Sequence, residues 1–311
     1  MGYNGLKKSW IFPGQASQFV GMGKDLYDNT EIGKRYYETA NQILNVDIQS
    51  ISFNGPEKLL KKTKYTQPAI FIVSAIIGKT MIAKGYTPDS VAGHSLGEYS
   101  ALVVSGAFDF HTGLEIVKLR SECMYNAGKE NSGTMAAIIG LSSTDLHNFC
   151  NEISSEKIVV IANYNTKTQI VVSGHVEAVE NLMETAKDFG ARMAIPLNVS
   201  GAFHSPLMSP AREALADKLD SIQISDIDYP IYSNVDAKPI IKGKEIKNSL
   251  IKQLESPVQW YNLIQNMIKD GSNQFTEIGP GKVLQGLNRK IDRTVSAKGI
   301  QTYEDILNYN V

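Results

Sequence analysis

Gly93-His94-Ser95-Leu96-Gly97 stands between the apolar run Ser90 to Gly93 and the helical pattern Glu98 to Val104. This G-x-S-x-G spacing commits the chain to a strand, a sharp turn and a helix at one place. Glycines flank the serine because so tight a turn leaves no room for side chains. Ser95 is expected to project from the turn into a cleft, as a nucleophile does. The N–H of Leu96 falls at the helix N-terminus, where unpaired donors and the positive dipole end can hold a developing oxyanion. Such a site favours acyl transfer. A glycine-rich turn can also arise for packing alone, and it is the strand and helix flanks that favour the nucleophile.

Short apolar runs alternate with helical patterns elsewhere too, which predicts an α/β fold with a largely parallel sheet. The first strand is expected at Ser9 to Phe12, closed by Pro13-Gly14. Helical segments follow to about residue 83, with Pro68 suited to the first turn of a helix through Ile70, Val73 and Ile77. The longest apolar run, Ala69 to Ile77, stops at Gly78 and Lys79. It is far short of the ~20 residues that span a bilayer and reads as a buried helix. Then comes a strand at Thr134 to Ile139, a helix after Ser143, strands at Ile158 to Ala162 and Ile170 to Val172, a helix at Val176 to Phe189 and a strand at Met193 to Leu197. That β-α-β-β-α-β order predicts a ferredoxin-like small subdomain, residues 131–198, inserted into a large α/β subdomain formed by residues 1–130 and 199–311. The chain resumes with a helix opening at Ser205-Pro206, another ending at Ser256-Pro257, and a turn at Gly279-Pro280-Gly281.

Charge narrows the function classes. The 31 Lys and Arg nearly balance the 32 Asp and Glu among 311 residues, leaving no electrostatic footprint for a nucleic acid. Lys7 and Lys8 precede only Trp10 to Phe12 before Pro13-Gly14, so no secretory segment is expected. The two cysteines, Cys123 and Cys150, are isolated, which fits a reducing cytoplasm and neither a disulfide framework nor a zinc clip. No His, Cys, Asp or Glu cluster has ligand spacing, so no metal is expected.

A serine nucleophile needs a base, and five histidines are available. His111, His147 and His175 sit near helix starts or turns, where surface or capping roles suit them. His94 adjoins the serine, and the backbone direction aims its side chain away. His204 lies between a strand and a helix in Gly201-Ala202-Phe203-His204-Ser205-Pro206, with Ser205 as N-cap and Pro206 at the first helical position. Loops at the C-terminal ends of strands carry α/β catalytic groups. A lone loop histidine is as readily a merely exposed one, and the residues alone leave that open. Arg120 lies on a helical stripe with Leu114, Val117 and Met124. If buried there it needs an anionic partner; otherwise it snorkels to the surface or pairs with a glutamate.

Phe12-Pro13-Gly14-Gln15-Ala16-Ser17-Gln18, Gly93-His94-Ser95-Leu96-Gly97-Glu98, Arg120, Ala202-Phe203-His204-Ser205, Gln253 with Ser256-Pro257-Val258-Gln259-Trp260, and Glu277-Ile278-Gly279-Pro280-Gly281 follow one another in order and spacing. Together they resemble the signatures of malonyl-CoA:acyl carrier protein transacylases over nearly the whole chain. Gly106-Ala107-Phe108-Asp109-Phe110 and Tyr232-Ser233-Asn234-Val235 are most similar to the freestanding, trans-acting acyltransferases that load modular polyketide synthases.

The resemblance implies an α/β-hydrolase-like large subdomain and a ping-pong transfer from malonyl-CoA to the phosphopantetheine thiol of an acyl carrier protein, in polyketide or fatty acid synthesis. It makes Ser95 the nucleophile, His204 its base, and the main-chain N–H groups of Gln15 and Leu96 the oxyanion hole. Arg120 clamps the malonyl carboxylate through a planar fork. A backbone carbonyl at Gln253 orients the imidazole, and the last turn of a helix supplies such a free acceptor; a solvated helix-end glutamine is the plainer reading of that residue. Phe203 resembles the form found in malonyl-selective members, and His94 is placed with the substrate-binding residues. Asn163 and Asn165, at the end of a small-subdomain strand, face the cleft or cap a loop.

Two positions depart from the family. Ala16 stands where glycine is common, and alanine is strained by ~1 kcal/mol or more if φ there is positive. Ser121 replaces a glycine after the arginine. The implied protein carries no resident cofactor or metal, touches neither nucleic acid nor membrane, and is a cytoplasmic monomer. A serine acyl hydrolase on the same scaffold is the rival activity, and a non-catalytic carrier-docking module is another; a buried cation at Arg120 would have no use in a site for uncharged acyl chains.

Overall fold

The apolar runs of the chain become strands stacked side by side in this computed structural model, which describes residues 7–153 and 157–309. In chain order the strands are β1 (Lys7–Phe12), β2 (Ser90–Gly93), β3 (Gly133–Ile139), β4 (Val159–Thr166), β5 (Gln169–His175), β6 (Met193–Pro196), β7 (Ile231–Tyr232), β8 (Pro239–Ile240), β9 (Ser272–Ile278) and β10 (Ser296–Ile300). The larger sheet runs β10-β9-β1-β2-β7-β8, parallel throughout except for β8. Trp10, Ile11 and Phe12 in β1, and Val91 and Ala92 in β2, have almost no exposed surface. Helices cover both sheet faces, so the central strands read as unbroken apolar runs rather than alternating ones.

Helix Thr63–Ala83 packs in this core beside helices Gly97–Val104 and Phe110–Glu130. It is long and apolar enough to cross a membrane, and most of its apolar stretch is buried inside the fold. Pro68 falls inside the helix and not in its first turn, contrary to the expected placement. The helix opens five residues earlier, at Thr63, and the complete burial of its apolar stretch from Ala69 to Ile77 outweighs the backbone hydrogen bond a proline removes.

The smaller sheet is antiparallel in the order β4-β5-β3-β6, the arrangement expected of a ferredoxin-like unit. Its pleat divides the side chains between two cores. Ala136 and Ile138 of β3 pack with Leu146, Phe149 and Val179 in a core of its own. Met135 and Ala137, one residue out of phase, join the large core. Helix Val176–Thr185 ends before Phe189. Phe189 nevertheless stacks on Phe149 at 3.8 Å from the following turn, so the apolar pattern outruns the helix. Backbone bonds from Val258 N–H to Ala162 O (2.8 Å) and from Tyr164 N–H to Val258 O (2.9 Å) stitch β4 to the rest of the chain.

Candidate active site

Parallel pairing of β1 and β2 sets Phe12 opposite Gly93, so the Gln15 loop and the Ser95 turn leave the same sheet edge side by side. The backbone closes tightly there. A Cβ on Gly97 would lie 2.0 Å from the Phe12 carbonyl oxygen, and one on Gly93 would lie 1.9 Å from the Gly97 carbonyl carbon. Only glycine fits at either position. Ser95 takes φ of 52°, a left-handed conformation that costs an ordinary residue about 1–2 kcal/mol. Three hydrogen bonds hold it: Ser95 N–H donates to Asn234 Oδ1 (2.7 Å), and Ser95 O accepts from Gln253 Nε2 (3.0 Å) and Glu98 N–H (3.2 Å).

His204 reaches Ser95 from the loop before helix Ser209–Asp220. Its Nε2 lies 2.8 Å from Ser95 Oγ, while Nδ1 lies 2.9 Å from Gln253 O and 3.1 Å from Ser256 O. Two carbonyls can only accept, so Nδ1 carries the proton and Nε2 offers its lone pair to the serine hydroxyl. Burial, reinforced by the Arg120 cation, pushes the imidazole down to about 3. At neutral pH it is a free base. The exposed-loop reading does not hold, since His204 is buried.

The other histidines stand apart from Ser95 Oγ. His111 and His147 are exposed, and His175 Nδ1 accepts from Ile158 N–H at 2.9 Å. The His94 ring turns to Asn165 Oδ1 (2.9 Å) and lies against Trp260.

Arg120 has no exposed surface, which removes the snorkelling alternative. Its Nη1 donates to Gln67 Oε1 (2.6 Å), and its Nη2 to Ser95 Oγ (3.0 Å) and Gln253 Oε1 (3.0 Å). The guanidinium carbon lies 5.2 Å from the centre of the Tyr99 ring. Its Nε has no hydrogen-bond partner. Among the described residues no carboxylate makes an ion pair with it. A buried cation held by neutral acceptors alone is a costly arrangement that an incoming anion relieves.

The residues have more to do than the sequence showed. Gln253 is fully buried, not a solvated helix end, and its side chain bridges Arg120, Ser95 and Glu98. The sequence assigns no role of their own to Gln67, Glu98 or Asn234, yet they hold the guanidinium, the Gln253 amide and the serine backbone. The signal was present: a glutamine amid Thr66 to Phe71 and a glutamate amid Leu96 to Val104 are polar side chains in stretches otherwise destined for the interior.

Neither the Leu96 nor the Gln15 N–H donates a hydrogen bond among the described residues. Both residues line a cavity of about 560 Å³ that holds Ser95, His94, Phe203 and His204 on one side and Met135, Ala137, Asn163, Asn165 and Val171 of the small sheet on the other. Ala16 adopts φ of 81°, the strained conformation that its departure from glycine foretold. Its N–H is tied to Gln18 Oε1 at 2.9 Å. Ser121 is buried and donates to Lys118 O at 2.9 Å. Among the described residues no group of three or more His, Cys, Asp or Glu is placed to hold a metal ion.

Known proteins resemble this chain over nearly its whole length. Residues 9–306 match the family model described as acyl transferase domain. A malonyl CoA-acyl carrier protein transacylase of Bacillus subtilis (strain 168) is 42% identical over 301 residues, 96% of this chain and 95% of that protein. The solved structure of the malonyl CoA-acyl carrier protein transacylase from Coxiella burnetii superposes with a TM-score of 0.94 at 36% identity, covering 97% of this chain and 96% of that one. A malonyl-transacylase solved in complex with its type II PKS acyl-carrier protein gives 0.93 at 37% identity, over 97% of this chain and 98% of the other.

Proposed function

The chain belongs to the acyl transferase domain family, and on that premise we propose that it moves a malonyl group from malonyl-CoA to the phosphopantetheine thiol of an acyl carrier protein. It thereby supplies extender units to polyketide or fatty acid synthesis. The cleft lies between a large unit of residues 1–130 and 199–311 and an inserted small unit of residues 131–198, of which residues 1–6, 154–156 and 310–311 lie outside the described residues.

His204 Nε2 takes the Ser95 hydroxyl proton as Oγ attacks the thioester carbonyl. The carbonyls of Gln253 and Ser256, accepting from Nδ1–H, steady the imidazolium in place of a third carboxylate. Leu96 and Gln15 N–H groups take the oxyanion. Collapse expels the CoA sulfur, which receives the proton from Nε2, and leaves malonyl on Ser95 as an ester. The carrier's thiol then gives its proton to His204 and attacks that ester, and the second collapse returns the proton to Ser95 Oγ. No resident cofactor takes part; phosphopantetheine arrives on the partner. The setting is the cytoplasm.

One observation carries the malonyl reading: a fully buried Arg120, without an anionic partner among the described residues, 3.0 Å from the nucleophile. Neutral acyl groups would leave that cation unpaired, and a malonyl carboxylate completes it through parallel hydrogen bonds. Intact-mass measurement after exposure to malonyl-CoA tests the function. The chain gains one malonyl group, Ser95→Ala gains none, and added carrier protein discharges it. An acyl mass lost to water equally fast without carrier protein establishes the rival hydrolase, and no mass gain establishes a docking module.

A further inference from the structure

Glu98 lies beneath the nucleophile turn with 1% of its surface exposed. Its carboxylate makes no ion pair among the described residues; it accepts from Gln253 Nε2 and, at 3.2 Å, from Asn234 N–H. Burial pushes it up to about 7 against the pull of those donors and of Arg120. Nothing in the transfer steps uses this group directly.

The Gln253 amide between Glu98 and Arg120 has two unlike ends. Its Oε1 accepts from Arg120 Nη2, and its Nε2 donates to Glu98 and Ser95 O. Turned by half a rotation, it would set NH₂ against the guanidinium and its oxygen against the carboxylate, donor on donor and acceptor on acceptor. The carboxylate and the guanidinium thus select one orientation of the amide from opposite ends.

We propose that Glu98 is a positioning residue that acts through the Gln253 amide to hold Arg120 where it takes the substrate's free carboxylate, and so sets the preference for carboxylated over neutral acyl groups. This rests on the reading of Arg120 as the carboxylate clamp. The competing role for Glu98 is support of the turn through Asn234, whose side chain binds Ser95 N–H and the Gly93 carbonyl. That role slows every acyl group alike, because it touches the nucleophile and not the clamp.

The test is single-turnover loading of Ser95 at pH 8.5, above the raised Glu98 value so that the carboxylate is ionised, from malonyl-CoA and from acetyl-CoA in the full chain, its Glu98→Gln and Glu98→Asp variants, and Arg120→Ala as reference. A glutamine at position 98 offers one acceptor and one donor where Gln253 and Asn234 both need acceptors, so the Gln253 amide turns and Arg120 loses Oε1. The malonyl-to-acetyl preference is expected to fall by about tenfold or more, the scale of one hydrogen bond to a charged group. Glu98→Asp keeps the charge but withdraws it by one methylene, and the preference falls there too, which keeps the test decisive if Glu98→Gln fails to fold. Malonyl and acetyl loading that slow by the same factor, or an unchanged preference in a folded variant, overturn the inference. If Arg120→Ala itself preserves the preference, the clamp reading is what fails; if Arg120→Ala abolishes it while the Glu98 variants do not, only the role of Glu98 fails.

Discussion

Replacing Arg120 with alanine probes its proposed role as the carboxylate clamp. In the free protein the guanidinium spends its donors on Gln67 Oε1, Gln253 Oε1 and Ser95 Oγ, all neutral. A malonyl carboxylate in the cavity without it is a buried charge missing its partner, which costs about 3–5 kcal/mol. At about 1.36 kcal/mol per tenfold, malonyl loading falls roughly 150- to 5,000-fold. Acetyl loading behaves differently. It needs no clamp, and loss of the cation removes the second-largest influence holding the His204 imidazole down, which makes the base stronger. Acetyl loading therefore holds or rises while malonyl loading collapses.

The assay is quenched-flow loading of Ser95 from each CoA ester, read by intact mass. A urea melt runs alongside, because the orphaned Gln67 and Gln253 oxygens cost about 1–3 kcal/mol each in stability. Malonyl loading at the parent rate, or malonyl and acetyl rates that drop in parallel, refutes the assignment of Arg120.

Three further outcomes are expected. His204 and Glu98 pull stability in opposite directions with pH. His204, lowered from 6.5 to about 3, contributes fully above 6.5 and loses its contribution as pH falls toward 3. Glu98, raised from 4.5 to about 7, contributes fully below 4.5 and loses its contribution as pH rises through 7. Glu98→Gln removes the second slope, so from pH 4.5 to 6.5 the variant gains stability relative to the parent, by up to about 1.4 kcal/mol per pH unit; a flat or falling difference in urea midpoints contradicts these shifts. Phe203 is buried beside His204 on the cavity wall, and the parent should prefer malonyl over methylmalonyl by the ~10–200-fold that one methyl can command. Phe203→Ala narrows that ratio at a stability cost of about 3–5 kcal/mol, and a ratio unmoved by the substitution dismisses Phe203 as the selecting group. Ala16→Gly releases the positive-φ strain, less the chain entropy that glycine adds, and stabilises the fold by up to about 1 kcal/mol; a lowered thermal midpoint shows that the alanine methyl is making contacts worth more than its strain.

Local chemistry written along the chain was enough to foresee much of this. The glycines around Ser95 announce a strand, a turn and a helix because no side chain fits where backbone meets backbone. The β-α-β-β-α-β order announces the small sheet because period and connection length are local properties. Arg120 on an apolar stripe is visible as a misfit before any fold is known, and the family resemblance marks Ala16 as standing where glycine is common. Tertiary structure decided the rest, since burial and hydrogen-bond partners at long sequence separation are not properties of a segment. Whether Gln253 faces water or joins three groups depends on where helix Gly243–Gln253 lands against a turn 158 residues earlier. Likewise the 2.8 Å approach of His204 to Ser95 spans 109 residues, and the low pKa that keeps the imidazole a free base comes from an enclosure that only the assembled cores create.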